Sequence, residues 1–237
     1  MQAVILAGGL GTRLRPLTYV VPKPMLPIAG KPLLEHTLNY LKEYGIEEVI
    51  ICVAYLKRQI IDYFKNGDFG IEVRFAEADN LLGTGGQLRT SVDLVEGTFL
   101  AMNGDIVTSM NLKNLIEFHA KNSGIGSIAL KEYTVEIPYG FIEINPESLV
   151  MSFKEKPSIT YKANAGVYVF EKRLFEYIPD QKVVSLEREV FPHLIESGEK
   201  LYGYLENAFW ADVGDLAEYE KTNAEFLDRT HVTTKED

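Results

Sequence analysis

Through its first half this sequence alternates short apolar runs with segments of helical periodicity, and few folds accept that order. Residues 3–7, 48–54, 71–76 and 99–103 read as strands, and 32–44, 57–65, 87–95 and 112–121 as helices, the first with Leu34, Leu38 and Leu41 on one face. Strands that are apolar on both faces must be covered on both faces. The order βαβα therefore predicts an α/β, Rossmann-like, doubly wound and mostly parallel sheet with helices on either side. In such sheets ligands lie at the carboxyl ends of the strands. The second half is richer in strands, at 125–131, 140–144, 150–154, 166–170 and 201–205, so the sheet is expected to be mixed. Helices are expected at 172–177, 186–197 and 216–227, and Asn145-Pro-Glu-Ser148 is turn chemistry that predicts a hairpin. No repeat or linker divides the chain. One domain over 1–230 is expected, with halves meeting near residue 110 and a frayed polar tail at 231–237.

Composition removes several classes of function. The chain carries 24 Lys plus Arg against 34 Asp plus Glu, a net charge of −10, which makes it a poor binder of nucleic acid. Its single cysteine excludes a disulfide framework, and Cys52 reads as core packing inside a strand. No apolar run is long enough to span a bilayer. The N-terminal run enters glycines directly and reads as a first strand, so a cytoplasmic protein is expected. The histidines at 36, 119, 193 and 231 show no metal-ligand spacing.

Against that acidic background, residues 1–34 contain no acid but carry Arg13, Arg15, Lys23 and Lys31. The predicted first strand runs into Leu6-Ala-Gly-Gly-Leu-Gly-Thr-Arg13, where glycines let backbone N–H groups approach an anion and Thr12 and Arg13 add a hydroxyl and a guanidinium. The third glycine of a dinucleotide fingerprint is missing, since Gly9-Leu-Gly11-Thr-Arg-Leu14 ends in leucine, and so is the Gly-Lys-Ser/Thr of a P-loop. In Pro22-Lys-Pro-Met-Leu-Pro27, prolines on both sides restrict the backbone around Lys23. The whole reads as an electropositive pocket for phosphate.

Gly8-Gly-Leu-Gly-Thr-Arg-Leu-Arg-Pro-Leu-Thr18 followed by Pro22-Lys-Pro24 resembles the signature of sugar-1-phosphate nucleotidyltransferases. The resemblance continues through Leu82-Gly-Thr-Gly-Gly86, Asn103-Gly-Asp105, Tyr139-Gly140, Glu155-Lys-Pro157, Asn164-Ala-Gly166 and Trp210-Ala-Asp-Val-Gly214. It implies the nucleotide-diphospho-sugar transferase fold and a reaction in which a sugar-1-phosphate oxygen attacks the α-phosphorus of a nucleoside triphosphate. The nucleophile is already an anion, so such a site needs no general base; it must align two repelling anions and neutralise charge. The resemblance gives Arg13 and Lys23 the catalytic roles, with Leu6, Ala7, Gly8, Gly9, Gly11, Thr12, Gly83, Thr84, Gly85 and Gly86 around the nucleotide. It puts Asn103, Tyr139, Gly140, Glu155, Lys156 and Asn164 around the sugar phosphate, and pairs Asp105 with Asp212 on a Mg²⁺ ion. Asp215 reads as the cap of the last helix.

The substrate pair is less constrained. Ser185-Leu-Glu-Arg-Glu-Val-Phe-Pro192 and Asn114-Leu-Ile-Glu-Phe-His119 are similar to mannose-1-phosphate guanylyltransferases, which points to GTP. Asn103-Gly-Asp105 and Thr84-Gly-Gly86 resemble short uridylyltransferases acting on muramic- or heptose-type sugar phosphates. The alternatives are a glucose-1-phosphate thymidylyl- or uridylyltransferase, or a uridylyl- or guanylyltransferase for another such sugar phosphate. Five residues before Gly83 the family commonly has Glu or Gln facing the base, where this chain has Ala78. A non-catalytic nucleotide-sugar-binding subunit and a dinucleotide oxidoreductase are the readings from other classes. The partners expected are the two substrates, with no nucleic acid or membrane, and the resemblance implies a homo-oligomer.

Overall fold

The structure, a computed structural model, describes residues 1–233, with backbone alone from residue 228. The central sheet has seven strands: β1 (Gln2–Leu6), β4 (Glu48–Val53), β5 (Glu72–Glu77), β6 (Phe99–Asn103), β8 (Gly126–Glu136), β11 (Ser158–Phe170) and β12 (Leu201–Leu205). Their spatial order is β12-β8-β11-β6-β1-β4-β5. Neighbours pair in parallel except around β11, which runs antiparallel to both β6 and β8. The expected doubly wound, mostly parallel mixed sheet is present. All five residues of β1 are buried, as a strand between two parallel neighbours requires.

Helices cover both faces. On one, Leu34, Leu38 and Leu41 of α1 (Leu33–Glu43), Ile60 and Phe64 of α2 (Lys57–Asn66) and Leu112 and Leu115 of α4 (Leu112–Asn122) pack on Ala3, Ile5 and Ile51. On the other, Leu88 of α3 (Gly83–Arg89) and Leu194 of α5 (Phe191–Glu196) join Val4, Ile50, Phe99 and Phe170. Each fully buried Leu, Ile or Phe contributes about 1.5–3 kcal/mol. Cys52 lies in this second layer, where burial pushes its thiol up to about 12. Among the described residues no helix is long and apolar enough to cross a membrane.

Several boundaries differ from the sequence reading. β8 continues five residues past 131, and β11 begins at Ser158, well before 166. Together they form a two-stranded arm beyond the sheet, continued by the hairpin β9 (Phe141–Ile144) and β10 (Val150–Lys154). The signal was there: Tyr133 and Val135 alternate with Glu132 and Thr134, and Ile159 and Tyr161 with Thr160 and Lys162. The expected turn closes the hairpin, Asn145 Oδ1 accepting from the amides of Glu147 and Leu149. The helix read at 87–95 instead starts at Gly83 and ends at Arg89. Two short pairings escape periodicity: β2 (Pro27–Ile28) with β3 (Lys31–Pro32), and β7 (Ile106–Thr108) with β13 (Trp210–Asp212). Asp215 caps α6 (Leu216–Thr233) through the Glu218 amide, as expected. The frayed tail read at 231–237 is helix as far as Thr233; residues 234–237 lie outside the described range.

Candidate nucleotidyl-transfer site

The chain turns from β1 toward β4 and β5 on one side, while β6 lies on the other, so the carboxyl end of β1 opens at the point where strand order reverses. Leu6 and Ala7 are buried there, and the Ala7 amide continues the ladder by donating to Cys52 O. The loop that follows is tightly prescribed. Gly8 N donates to Gln87 Oε1 at 2.8 Å. Gly11 has φ +59°, and a Cβ there would lie 2.9 Å from Thr18 Cγ2. Gly9 faces open space, with nothing within 4 Å of a Cβ position. Thr12 and Arg13 are exposed beyond it.

Four charged residues far apart in sequence meet beside this loop. Lys23 is buried between Pro22 and Pro24, in a short 3₁₀ turn. Its ammonium donates to Asp105 Oδ2 and lies 3.8 Å from Asp212 Oδ1. Asp105 follows β6 in a turn whose Gly104 amide donates to Leu6 O. Asp212 arrives through the β7–β13 pair, opposite Ile106, and Val213 N donates to Asp105 O at 3.0 Å. Arg13 lies against the chain just past that strand: a Cβ on Gly214 would meet its Nη2 at 2.9 Å. Burial, and then the Asp105 charge, hold the Asp212 carboxyl above the usual aspartate range; Lys23 and Arg13 oppose this.

Asp212 Oδ1 is buried and accepts no hydrogen bond. Two carboxylates at one point, one with an unused buried oxygen, fit a hard divalent cation. Among the described residues no group of three or more His, Cys, Asp or Glu is placed to hold a metal. A cation here would take its other ligands from substrate oxygens and water, as Mg²⁺ does at phosphate sites.

Around Thr84, glycines serve close packing. Gly83 (φ +70°) and Gly86 press on the backbone of Val184 and Lys182, where a Cβ would come within 2.5 Å of each carbonyl oxygen. The amides of Gly85 and Gly86 donate to Val184 O and are not free for a base. Sequence reading missed the residue that fixes this turn. Glu187 accepts from Thr84 Oγ1 and Ser185 Oγ, both at 2.8 Å, and its other oxygen is 3.5 Å from the Tyr168 hydroxyl. Its place inside the Ser185–Pro192 stretch was the only signal. Ala78 continues the β5 ladder onto Val53 O, and its neighbours Glu77 and Asp79 are engaged by Lys57.

The sugar-side residues divide into two groups. Asn103 and Asn164 lie close to the charged cluster. Gly166 (φ +70°) leaves room for the Asn103 amide, whose Oδ1 is buried without a partner, and Asn164 caps the turn by accepting from Gly166 N. Trp210 Nε1 ties that turn to β13 by donating to Ala165 O at 2.7 Å. Tyr139, Gly140, Glu155 and Lys156 are exposed and sit at the base of the hairpin arm, where a Gly140 Cβ would touch Phe153 and Glu155. His119 is no ligand: it is buried between Ser127 Oγ and Glu171 Oε1.

A family model described as nucleotidyl transferase matches residues 2–229. The mannose-1-phosphate guanylyltransferase of Mycobacterium tuberculosis is 36% identical over 96% of this chain and 65% of its own length. A UTP–glucose-1-phosphate uridylyltransferase of Synechocystis is 30% identical over 92% of this chain and 61% of its own length. The chain thus spans less than two thirds of those relatives. A solved structure of HddC from Yersinia pseudotuberculosis, complexed with GMP-PN, superposes with a TM-score of 0.77 at 30% identity, covering 95% of this chain and 99% of that one. With the glycine loop, the paired aspartates and a match along nearly its whole length, the chain belongs to the nucleotidyl transferase family.

Proposed function

We propose that this chain catalyses nucleotidyl transfer from a nucleoside triphosphate to a sugar-1-phosphate, releasing pyrophosphate and an NDP-sugar. The observation that carries this reading is the meeting of Arg13, Lys23, Asp105 and Asp212 beside an open glycine loop at the sheet's switch point. The sugar phosphate arrives as an anion, so the site supplies alignment and charge rather than a base. Backbone amides of residues 9–12 and the Arg13 guanidinium hold the leaving β- and γ-phosphates, while the Gly8 amide is engaged by Gln87. Lys23 exchanges its carboxylate partner for the α-phosphate. Asp105 and Asp212 would hold Mg²⁺, which would neutralise charge on the reacting phosphates. Asn103 Oδ1 accepts from a sugar hydroxyl, while Tyr139, Gly140, Glu155, Lys156 and Asn164 complete the sugar-phosphate side.

Guanine and mannose are the proposed pair. The guanylyltransferase relative and the GMP-PN-bound neighbour support guanine, and the former supports mannose-1-phosphate. A cytoplasmic location, where triphosphates are plentiful, suits the single buried thiol. The test is a grid of GTP, dTTP, UTP, ATP and CTP against mannose-, glucose-, N-acetylglucosamine- and heptose-1-phosphates with Mg²⁺, following pyrophosphate. Strong release with GTP and mannose-1-phosphate is expected. Strong release only in another cell overturns the substrate pair, and silence everywhere with nucleotide bound overturns catalysis in favour of a regulatory subunit.

A further inference from the structure

A hollow of about 450 Å³ lies at the end of the sheet away from the charged cluster. One wall is the end of α3, where Arg89 is the last helical residue, and another is the 3₁₀ turn Lys172–Tyr177. That turn follows Phe170, which pairs with Phe99 at the first residue of β6, whereas Asp105 lies beyond the last. No residue of the transfer site lines the hollow.

Its lining combines cations with an apolar wall. Arg89, Lys172 and Arg173 stand against one acid, Glu176, in a chain of net charge −10. Val92, Phe175 and Ile178 supply the apolar part. Arg173 is engaged by Glu199, which also accepts from the Tyr177 hydroxyl. Among the described residues the side chains of Arg89 and Lys172 make no ion pair and no hydrogen bond. Arg89 Nε is moreover buried and donates to nothing. A buried N–H without an acceptor is costly, and more so on a charged group. Arginine in the last turn of a helix commonly serves the free carbonyls there. Those of α3 are already taken, since the oxygens of Gln87, Leu88 and Arg89 accept from the amides of Thr90, Ser91 and Val92. The guanidinium is held in the hollow with no internal partner to explain it.

We infer that this hollow is an anion site, separate from the glycine loop, that takes the phosphate group of a small phosphorylated metabolite. The Nε–Nη edge of arginine presents two parallel N–H donors, which match two oxygens of a phosphate. Lys172 adds a second full charge and favours a dianion over a carboxylate. Glu176 repels further negative charge, so a single phosphate suits the site better than a polyphosphate. The volume falls within the roughly 300–1,000 Å³ of small-molecule pockets, which leaves the apolar wall to meet the organic part of the ligand. None of this depends on the transfer reaction proposed above.

Calorimetric titration of the full chain with inorganic phosphate, in about 0.15 M NaCl and without Mg²⁺, tests it. A Kd on the order of 1 mM is expected. Arg89→Gln and Lys172→Gln should each weaken binding at least ~10-fold, while Arg13→Ala changes it less than about 2-fold. Lys172 is exposed, so its variant reads binding even where Arg89→Gln disturbs the fold. Phosphate should also slow amide exchange at residues 89–93 and 172–178 of the wild-type chain, which needs no variant. Glycerol-3-phosphate and glucose-6-phosphate separate the sources. Binding at least ~10-fold tighter than inorganic phosphate supports the site with an organic ligand, and equal affinity supports it with the free anion. No binding up to about 20 mM, affinity unaltered by both substitutions, or loss of binding in Arg13→Ala instead overturns the proposal.

Discussion

Asp212 Oδ1 lies 3.8 Å from the Lys23 ammonium, buried and without a hydrogen bond, while Lys23 gives its short contact to Asp105 instead. One ammonium thus stands between two carboxylates and fully satisfies only one. Burial and the Asp105 charge both disfavour ionised Asp212. The arrangement is poised for more positive charge than the chain supplies.

Asp212→Asn should therefore trade function for stability. Removing the disfavoured charge leaves the Lys23–Asp105 pair intact, so the melting temperature at neutral pH should equal or exceed wild type, while Mg²⁺-dependent pyrophosphate release falls at least ~10²-fold. Calorimetry beside the activity assay checks both. A clear drop in melting temperature would show that Asp212 is structural.

Gly9 and Gly11 should respond oppositely to alanine. Gly11 sits at φ +59° with Thr18 Cγ2 in the way, so Gly11→Ala should destabilise the fold by about 1–2 kcal/mol in urea melts. Gly9 has open space and no positive φ, so Gly9→Ala should leave stability near wild type and raise the KM for the triphosphate, because its Cβ would project into the space proposed for phosphate. Equal loss of stability in both would contradict the loop geometry.

Gly214→Ala isolates the placement of Arg13. The new methyl would meet the end of a flexible side chain, so the fold should survive with Arg13 displaced. We expect kcat to fall about 10-fold with melting unchanged. Unchanged kcat would mean that the observed Arg13 position is not the working one.

Glu187→Ala tests the hub on Thr84. Losing an acceptor for Thr84 and Ser185 loosens the 83–86 turn against residues 184–186 without touching the charged cluster. The KM for the triphosphate should rise about 10-fold with kcat changed less than about 3-fold, a split that general destabilisation would not give.

The doubly wound core was legible because its strands are apolar on both faces and its helices carry clean stripes, as around Leu34, Leu38 and Leu41. The phosphate loop was legible because glycine, proline and charge coincide there. The hairpin at the tip of the arm was legible from its turn, whereas the stem was read short, because its alternation in 131–136 and 158–164 lies almost wholly in solvent and packs no face on the core. The β7–β13 pair was hidden for another reason. Three-residue strands from positions a hundred residues apart leave no periodic trace, yet they bring Asp212 beside Asp105. Family resemblance alone paired those two aspartates in the sequence; the Val213–Asp105 backbone bond now gives the pairing a structural cause. Glu187 stayed hidden because an exposed glutamate in a helical stretch has no signature of its own.

The central claim is that the charged cluster carries nucleotidyl transfer. Its most direct test is pyrophosphate release by wild type, Asp105→Asn and Arg13→Ala, with Mg²⁺ and the best substrate pair from the grid. The account predicts robust wild-type turnover abolished by EDTA, and a loss of at least ~10² in kcat in each variant with the fold intact. Near-wild-type turnover in either variant would contradict it.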